Sequence, residues 1–177
     1  MSESKANKKL PLKGDGGSLY LSLGSNIGDR KELLRRAIAL IDERIGTVQR
    51  VSSFIETEPW GFQSEHPFLN AACMVLTTLS PEECLEETQK IERELGRKQK
   101  SRDGIYHDRP IDIDLLLYGD LKLSTPRLTL PHPHMMERDF VMIPLREIMP
   151  DGFCKETDSS ARGDSQDGVQ HLSCDKM

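Results

Sequence analysis

One stretch of sequence, residues 108 to 119, limits the possible folds more than any other, and it reads DRPIDIDLLLYG. Its apolar run predicts a buried strand. Because successive side chains of a strand point to opposite faces, Asp112 and Asp114 share one face, and Ile113 and Leu115 share the other. Two carboxylates about 7 Å apart on one strand face are costly beside a buried run unless they are paired. Two interpretations are open: solvated acids on an exposed face, or a site in which Mg²⁺ is held by these carboxylates and by substrate phosphates.

Composition narrows the class of protein. The 177 residues are 36% hydrophobic and 30% charged, which is typical of one soluble domain with a real core. The net charge of −5 argues against a general nucleic-acid binder, since an acidic surface repels phosphate backbones. The four cysteines form no C-x-x-C pair, and no apolar run reaches the roughly 18 residues of a membrane span. We therefore expect a cytoplasmic protein with neither nucleic-acid nor membrane partners. We also expect a monomer with small-molecule substrates.

Hydrophobic periodicity predicts a definite order of elements. Alternation in SLYLSL predicts a first strand, and a capping pattern at Asp29 begins a helix that ends at Gly46. Residues 47–57 and 68–79 are predicted as the second and third strands, and Ser80-Pro81 begins the second helix. With the strand from Ile111, the order is β-α-β-β-α-β.

This order indicates an α+β fold with a ferredoxin-like core. Beyond the core, the chain is predicted to turn at Gly119-Asp120 and return as residues 121–123 in a hairpin, before short helical pieces from residue 135. We expect one domain over residues 18–150. Polar composition predicts disordered tails at residues 1–17 and 151–177.

Two charged segments flank the acidic strand. The loop that precedes it carries a basic cluster, which favours a polyphosphate ligand beside two metal-binding acids, although such a loop can also be simple solvated surface. The segment that follows contains His132 and His134, for which phosphate contact or loop packing is favoured over a metal pair. The basic cluster consists of Arg97, Lys98, Lys100, Arg102 and Arg109.

Five motifs together resemble the 6-hydroxymethyl-7,8-dihydropterin pyrophosphokinase family. They are LSLGSNIGD, FLNAA at residues 68–72, QKIERELGR at residues 89–97, DRPIDIDLLLYG, and LPHPHMMERDFVMIPL. The resemblance implies a folate-pathway enzyme that moves pyrophosphate from ATP onto a pterin alcohol, with ATP as co-substrate and two Mg²⁺ ions as cofactors.

The resemblance also implies a role for individual residues. Asp112 and Asp114 would hold the metal ions, and with Arg97 and Arg109 they would form the catalytic set. The pterin would be bound by Thr57, Trp60, Phe68, Asn70 and Phe140. The ATP-side positions would be Gln89, Glu92, Arg97, Lys100, Arg109, Leu115, Thr129, His132 and Arg138.

The sequence departs from the family pattern in the basic loop and after the first loop histidine. Gln99 stands where a second arginine is usual, and residues 106–109 read YHDR in place of WGPR. Pro133 replaces a common tyrosine. Two alternatives follow: a catalytically impaired nucleotide- or pterin-binding module on the same fold, or an enzyme that transfers a single phosphoryl group.

Overall fold

The computed structural model describes residues 17–59, 64–96 and 108–150. Both predicted tails, apart from Gly17, and most of the basic loop lie outside these ranges. The described elements, in chain order, are β1 (Ser18–Ser25), α1 (Arg30–Arg44), β2 (Gly46–Val51), β3 (Ile55–Thr57), β4 (Phe68–Thr77), α2 (Pro81–Glu94), β5 (Asp112–Tyr118), β6 (Leu123–Ser124), β7 (Thr129–Leu130), a 3-10 turn (Met135–Glu137) and α3 (Asp139–Ile148).

The main sheet is antiparallel, with the order β2-β4-β1-β5, and β3 also pairs with β4. The two central strands, β1 and β4, are therefore neighbours in space although α1 and two strands separate them in sequence. This order places β5, with its two aspartates, directly beside β1 at one edge of the sheet.

Each face of the sheet is covered by different helices. Alternate residues of β1, such as Leu21 and Leu23, are fully buried in one core with residues of α1 and α2. The opposite face packs Tyr20, Ala72 and Leu116 against α3. Gly24 lies near the end of β1, where it pairs with β4 and β5. It is on this second face of the sheet, outside the cluster that packs against α3.

The starts of both long helices are as predicted. The Asp29 carboxylate accepts the N–H of Glu32 at 3.1 Å. Ser80 and Glu83 form a reciprocal capping box, in which each side chain accepts a backbone N–H of the other residue.

The prediction of one continuous strand over residues 47–57 is wrong, because the strand is interrupted between Val51 and Ile55. The Ser52 hydroxyl accepts the N–H of Ala72 at 2.8 Å, and the Ser52 N–H donates to the Ala72 carbonyl at 2.9 Å. A side-chain oxygen thus replaces a backbone acceptor, and the chain leaves the regular ladder at this point.

The predicted hairpin between the acidic strand and residues 121–123 is also wrong. The chain does turn at Gly119, whose φ of +52° suits glycine. However, β6 pairs with β7 and not with β5. The reason is a local turn in which the Thr125 hydroxyl and N–H bond to the backbone of Leu128 at 2.9–3.1 Å, which brings β6 and β7 together.

Candidate active site

The two aspartates of β5 share one face of the sheet, as the alternation predicts. Asp112 pairs with Gly24 and Asp114 with Ser22 across the β1–β5 ladder, and the side chain of Asp112 is 17% exposed. Ile113 and Leu115, in contrast, are buried in the core under α1 and α2. The carboxylates therefore lie on the sheet face opposite these helices.

A row of paired residues crosses the sheet beside these acids. Asn70 of β4 pairs with Gly24 of β1, and Gly24 pairs in turn with Asp112 of β5. Asn70 is 2% exposed, and its Nδ2 donates to the Thr57 hydroxyl at 2.6 Å. The predicted pterin-reading amide on β4 and the predicted metal-binding acids on β5 are thus separated by a single strand, β1.

Gly24 is a site residue that the sequence reasoning missed. A Cβ atom at this position would lie 3.0 Å from Asn70 Oδ1 and 3.4 Å from Phe68 Cδ1. The absence of a side chain therefore leaves room above the backbone between these two residues. The motif LSLGSN gave no signal of this role, because the role depends on the register between strands.

Arg109 lies between the predicted metal-binding acids and the predicted pterin-binding residues. Its Nη2 lies 3.7 Å from Oδ2 of Asp112, and its guanidinium carbon lies 5.4 Å from the centre of the Phe68 ring. A similar contact occurs at the other predicted aromatic residue, where the guanidinium carbon of Arg138 is 5.9 Å from the centre of the Phe140 ring. Both rings of the predicted pterin sandwich are thus in contact distance of a cation.

Several predicted ATP-side residues line one groove of about 240 Å³ at the outer edge of β5. The His132 N–H donates to the Leu116 carbonyl at 2.9 Å, which fixes the loop after β7 along this edge. Arg127 adds a positive charge to the wall of this groove. The predicted residues in the groove are Asp114, Leu115, Thr129 and His132.

Glu92 occupies a different kind of position. It is 2% exposed, and its carboxylate accepts the N–H of Ile113 at 2.8 Å. It therefore supports the backbone of β5 between the two aspartates. Gln89, one turn earlier on α2, is half-buried. Of the remaining predicted residues, Trp60, Arg97 and Lys100 lie outside the described ranges.

Asn26 is a second residue that the sequence reasoning missed. It is 2% exposed, its Oδ1 accepts the N–H of Arg109 at 2.7 Å, and its Nδ2 donates to Asp108 at 2.6 Å. An amide that directly follows a buried strand must find partners, which is the signal that could have identified it.

The buried thiols do not belong to the site chemistry. Burial raises the pKa of the Cys73 thiol to about 12 and that of Cys84 to about 11. Both are therefore neutral near pH 7 and unsuited to act as nucleophiles.

Within residues 17–59, 64–96 and 108–150, no group of three or more His, Cys, Asp or Glu residues is arranged to hold a metal ion. In the same ranges no helix has the length and apolar character needed to cross a membrane.

Comparison with known proteins identifies relatives over most of the sequence. The family model described as 7,8-dihydro-6-hydroxymethylpterin-pyrophosphokinase (HPPK) matches residues 20–150. A protein of Porphyromonas gingivalis named 2-amino-4-hydroxy-6-hydroxymethyldihydropteridine pyrophosphokinase is 55% identical over 133 residues, which are 75% of this chain and 90% of the relative. A Bacillus subtilis protein of the same name is 44% identical over 154 residues, covering 85% of this chain and 87% of the relative.

Solved structures share the fold at lower identity. A crystal structure of Plasmodium falciparum HPPK-DHPS superimposes on 82% of this chain with a TM-score of 0.62 and 14% identity. The matched part is 44% of that longer chain. This similarity supports a mixed α/β fold with an antiparallel sheet of the same kind.

Proposed function

The chain belongs to the 7,8-dihydro-6-hydroxymethylpterin-pyrophosphokinase family, and on this premise we propose that it transfers pyrophosphate from ATP to 6-hydroxymethyl-7,8-dihydropterin in folate biosynthesis. The products are the pterin diphosphate and AMP. The observation that carries the proposal is the row Asn70–Gly24–Asp112, because an amide suited to read the pterin edge and a carboxylate suited to bind metal lie on one sheet face. Transfer between two substrates requires the pterin hydroxyl and the metal-bound phosphates to lie close together.

The pterin would occupy the space above Gly24. A flat heterocycle needs aromatic faces for stacking and a few donor–acceptor pairs for its edge. Phe68 and Phe140 supply the aromatic faces. Asn70, held by its hydrogen bond to Thr57, supplies the edge contacts. Trp60 completes the proposed set.

Asp112 and Asp114 are suited to hold Mg²⁺. The ion prefers oxygen ligands and is usually held by one or two carboxylates together with substrate phosphates, so this pair of acids fits its donor set. Two ions on these aspartates would neutralise and orient the triphosphate when bound. The phosphates that complete the metal site would reach it from the groove that Asp114 lines.

The triphosphate and adenosine of ATP would lie along the outer edge of β5. The groove there combines the apolar Leu115 with polar side chains and with His132, as a nucleoside polyphosphate requires. Gln89 would contribute from the side of α2, and Glu92 through the backbone of β5 that it supports. Positive charge for the phosphates would come from Arg97, Lys100, Arg109 and Arg138.

In the reaction, the hydroxymethyl oxygen of the pterin attacks the β-phosphorus of ATP in line. The new O–P bond forms, the bond from the bridging α–β oxygen to the β-phosphorus breaks, the hydroxyl proton is released, and AMP leaves. Transfer of this kind depends on positioning and charge stabilisation. The contacts of Arg109 with Phe68 and with Asp112 support a role for it in both tasks.

We also propose a ferredoxin-like core for the fold. The antiparallel order β2-β4-β1-β5, with helices α1 and α2 on one face, supports a ferredoxin-like core. We expect a cytoplasmic monomer over residues 18–150 that acts on ATP and the reduced pterin alcohol and on neither nucleic acid nor membranes.

One assay tests the reaction. The protein is incubated with ATP, Mg²⁺ and 6-hydroxymethyl-7,8-dihydropterin, and the adenine nucleotides are separated by chromatography. AMP formed in equal amount to pterin diphosphate is the expected result. ADP would indicate transfer of a single phosphoryl group, and saturable pterin binding without turnover would indicate a binding module; either result contradicts the proposal.

A further inference from the structure

We infer that Asp108 is a positioning residue for Arg109 and acts through the amide of Asn26, an inference that rests on the proposed function of Arg109. The effect of Asp108 is on the orientation of a second side chain, which in turn holds the backbone of Arg109.

Asn26 holds both backbone polar groups of Arg109. The Arg109 N–H donates to Asn26 Oδ1 at 2.7 Å, and the Asn26 N–H donates to the Arg109 carbonyl at 3.2 Å. Arg109 is the residue whose guanidinium lies between Phe68 and Asp112. The direction in which its side chain leaves the backbone is therefore set by Asn26.

The orientation of the Asn26 amide is set by what its nitrogen contacts. Nδ2 donates to Asp108 Oδ1 at 2.6 Å and to the His66 carbonyl at 3.3 Å. Both partners accept hydrogen bonds and cannot donate them. If the amide turned over, its nitrogen would face the Arg109 N–H, donor against donor, and its oxygen would face two acceptors. The carboxylate of Asp108 thus fixes the amide with Oδ1 toward Arg109.

Asp108 is itself held in place from another segment of the chain. The Ser64 hydroxyl donates to the same Oδ1 at 2.6 Å, and His66 Nε2 lies 4.0 Å from Oδ2. Three segments meet at one carboxylate: the end of β1, the residues before β4, and the residues before β5. A small shift at Asp108 is therefore transmitted to Arg109 through Asn26.

The test compares Asp108→Ala with Asp108→Asn. The Asn variant keeps an oxygen that can accept from Asn26 and Ser64, whereas the Ala variant removes it. Steady-state AMP formation gives kcat and the two KM values, and thermal unfolding monitors the fold. Because a misplacement of about 1 Å can cost about a hundredfold in rate, Asp108→Ala is expected to lower kcat by about ten- to a hundredfold, with Asp108→Asn within about threefold of the original.

Two further variants separate positioning from general destabilisation. In an Arg109→Ala background, Asp108→Ala should cause no further loss of kcat, since the group that it positions is gone. The matched control is Asp42→Ala, which removes a carboxylate that accepts the Val48 N–H at 2.9 Å near the far end of α1. The control should leave kcat unchanged. A kcat loss for Asp108→Ala that persists in full without Arg109 would overturn the inference.

A readout that is independent of turnover keeps this inference distinct from the proposed reaction. Hydrogen exchange of the Arg109 amide, followed by NMR, should quicken at least about tenfold in Asp108→Ala and change little in Asp108→Asn, because the bond to Asn26 is lost only in the former. If the original protein forms no AMP, the proposed reaction fails and the exchange rates still decide the role of Asp108. Unchanged exchange in Asp108→Ala would refute that role.

Discussion

The substitution Gly24→Ala is the most informative single change at the site. It places one methyl group between Asn70 and Phe68, on the sheet face where we propose that the pterin binds. The backbone of Gly24 is ordinary strand, so an alanine is allowed by the main chain. The added atom therefore probes the space above the strand and little else.

The magnitude follows from the contacts of the new Cβ. At 3.0 Å from Asn70 Oδ1 it is closer than a relaxed carbon–oxygen contact, so the amide must move by a few tenths of an ångström. The bond from Asn70 to Thr57 at 2.6 Å resists that movement. Overpacking of this kind costs about 1–3 kcal/mol, whereas alanine gains about 0.5–1 kcal/mol over glycine within a strand. The net cost to stability is therefore about 0–2.5 kcal/mol, which corresponds to a fall in Tm of at most about 10 °C.

Pterin affinity should suffer more than stability. The methyl group occupies the space that the ring needs and displaces the amide that reads its edge. A loss of about 1.4–3 kcal/mol corresponds to a dissociation constant that is about ten- to a hundredfold larger. Calorimetric titration with the reduced pterin alcohol measures this constant, and thermal unfolding is recorded on the same samples.

Gly46→Ala is the matched control with the opposite expected pattern. A Cβ there would lie 2.1 Å from the Leu76 carbonyl oxygen and 2.9 Å from Thr77 Cα, both of them backbone atoms that cannot turn away. This variant should lose at least about 1–3 kcal/mol of stability and keep its pterin affinity per folded molecule. If Gly24→Ala binds the pterin as tightly as the original protein, the placement of the pterin above Gly24 is wrong.

Three further predictions concern the strand of aspartates and the core. Asp112→Ala or Asp114→Ala should abolish AMP formation at ordinary Mg²⁺ with an unchanged circular dichroism spectrum, and near-normal activity in either variant would contradict the metal assignment. Glu92→Ala leaves a buried N–H of β5 without its acceptor and should cost about 1–3 kcal/mol in urea unfolding, most of which Glu92→Gln should restore. Burial raises the pKa of Cys73 to about 12 and that of Cys84 to about 11 from the ordinary value of 9.0, so the thiols ionise first in the unfolded chain. Their contribution to the free energy of unfolding should be constant below about pH 9 and should fall above it by up to about 1.4 kcal/mol per pH unit per thiol. Alanine at both cysteines should flatten this alkaline decline, and an equally steep decline would refute the cause.

Local rules made the helices and the acidic strand predictable. The caps at Asp29 and Ser80 and the alternation through Asp112 and Asp114 are all encoded within a few residues of sequence. The same rules failed at Ser52, where a side-chain hydroxyl takes the N–H of a distant strand and interrupts the ladder. The prediction at β6 was wrong for another reason, because the turn between Thr125 and Leu128, and not the turn at Gly119, decides which strands pair.

The sequence alone determined the kinds of chemistry that this protein can carry out. Paired acids, a basic segment and aromatic residues in family-specific motifs are properties of residue type and spacing, and the linear sequence contains both. The tertiary structure decided which of them meet. Gly24 became a site residue only through its register with Asn70 and Asp112, and Asn26 only through its contact with Arg109, 83 positions further along the chain. Strand register and long-range hydrogen bonds depend on how the whole sheet packs, and no local pattern in the sequence records them.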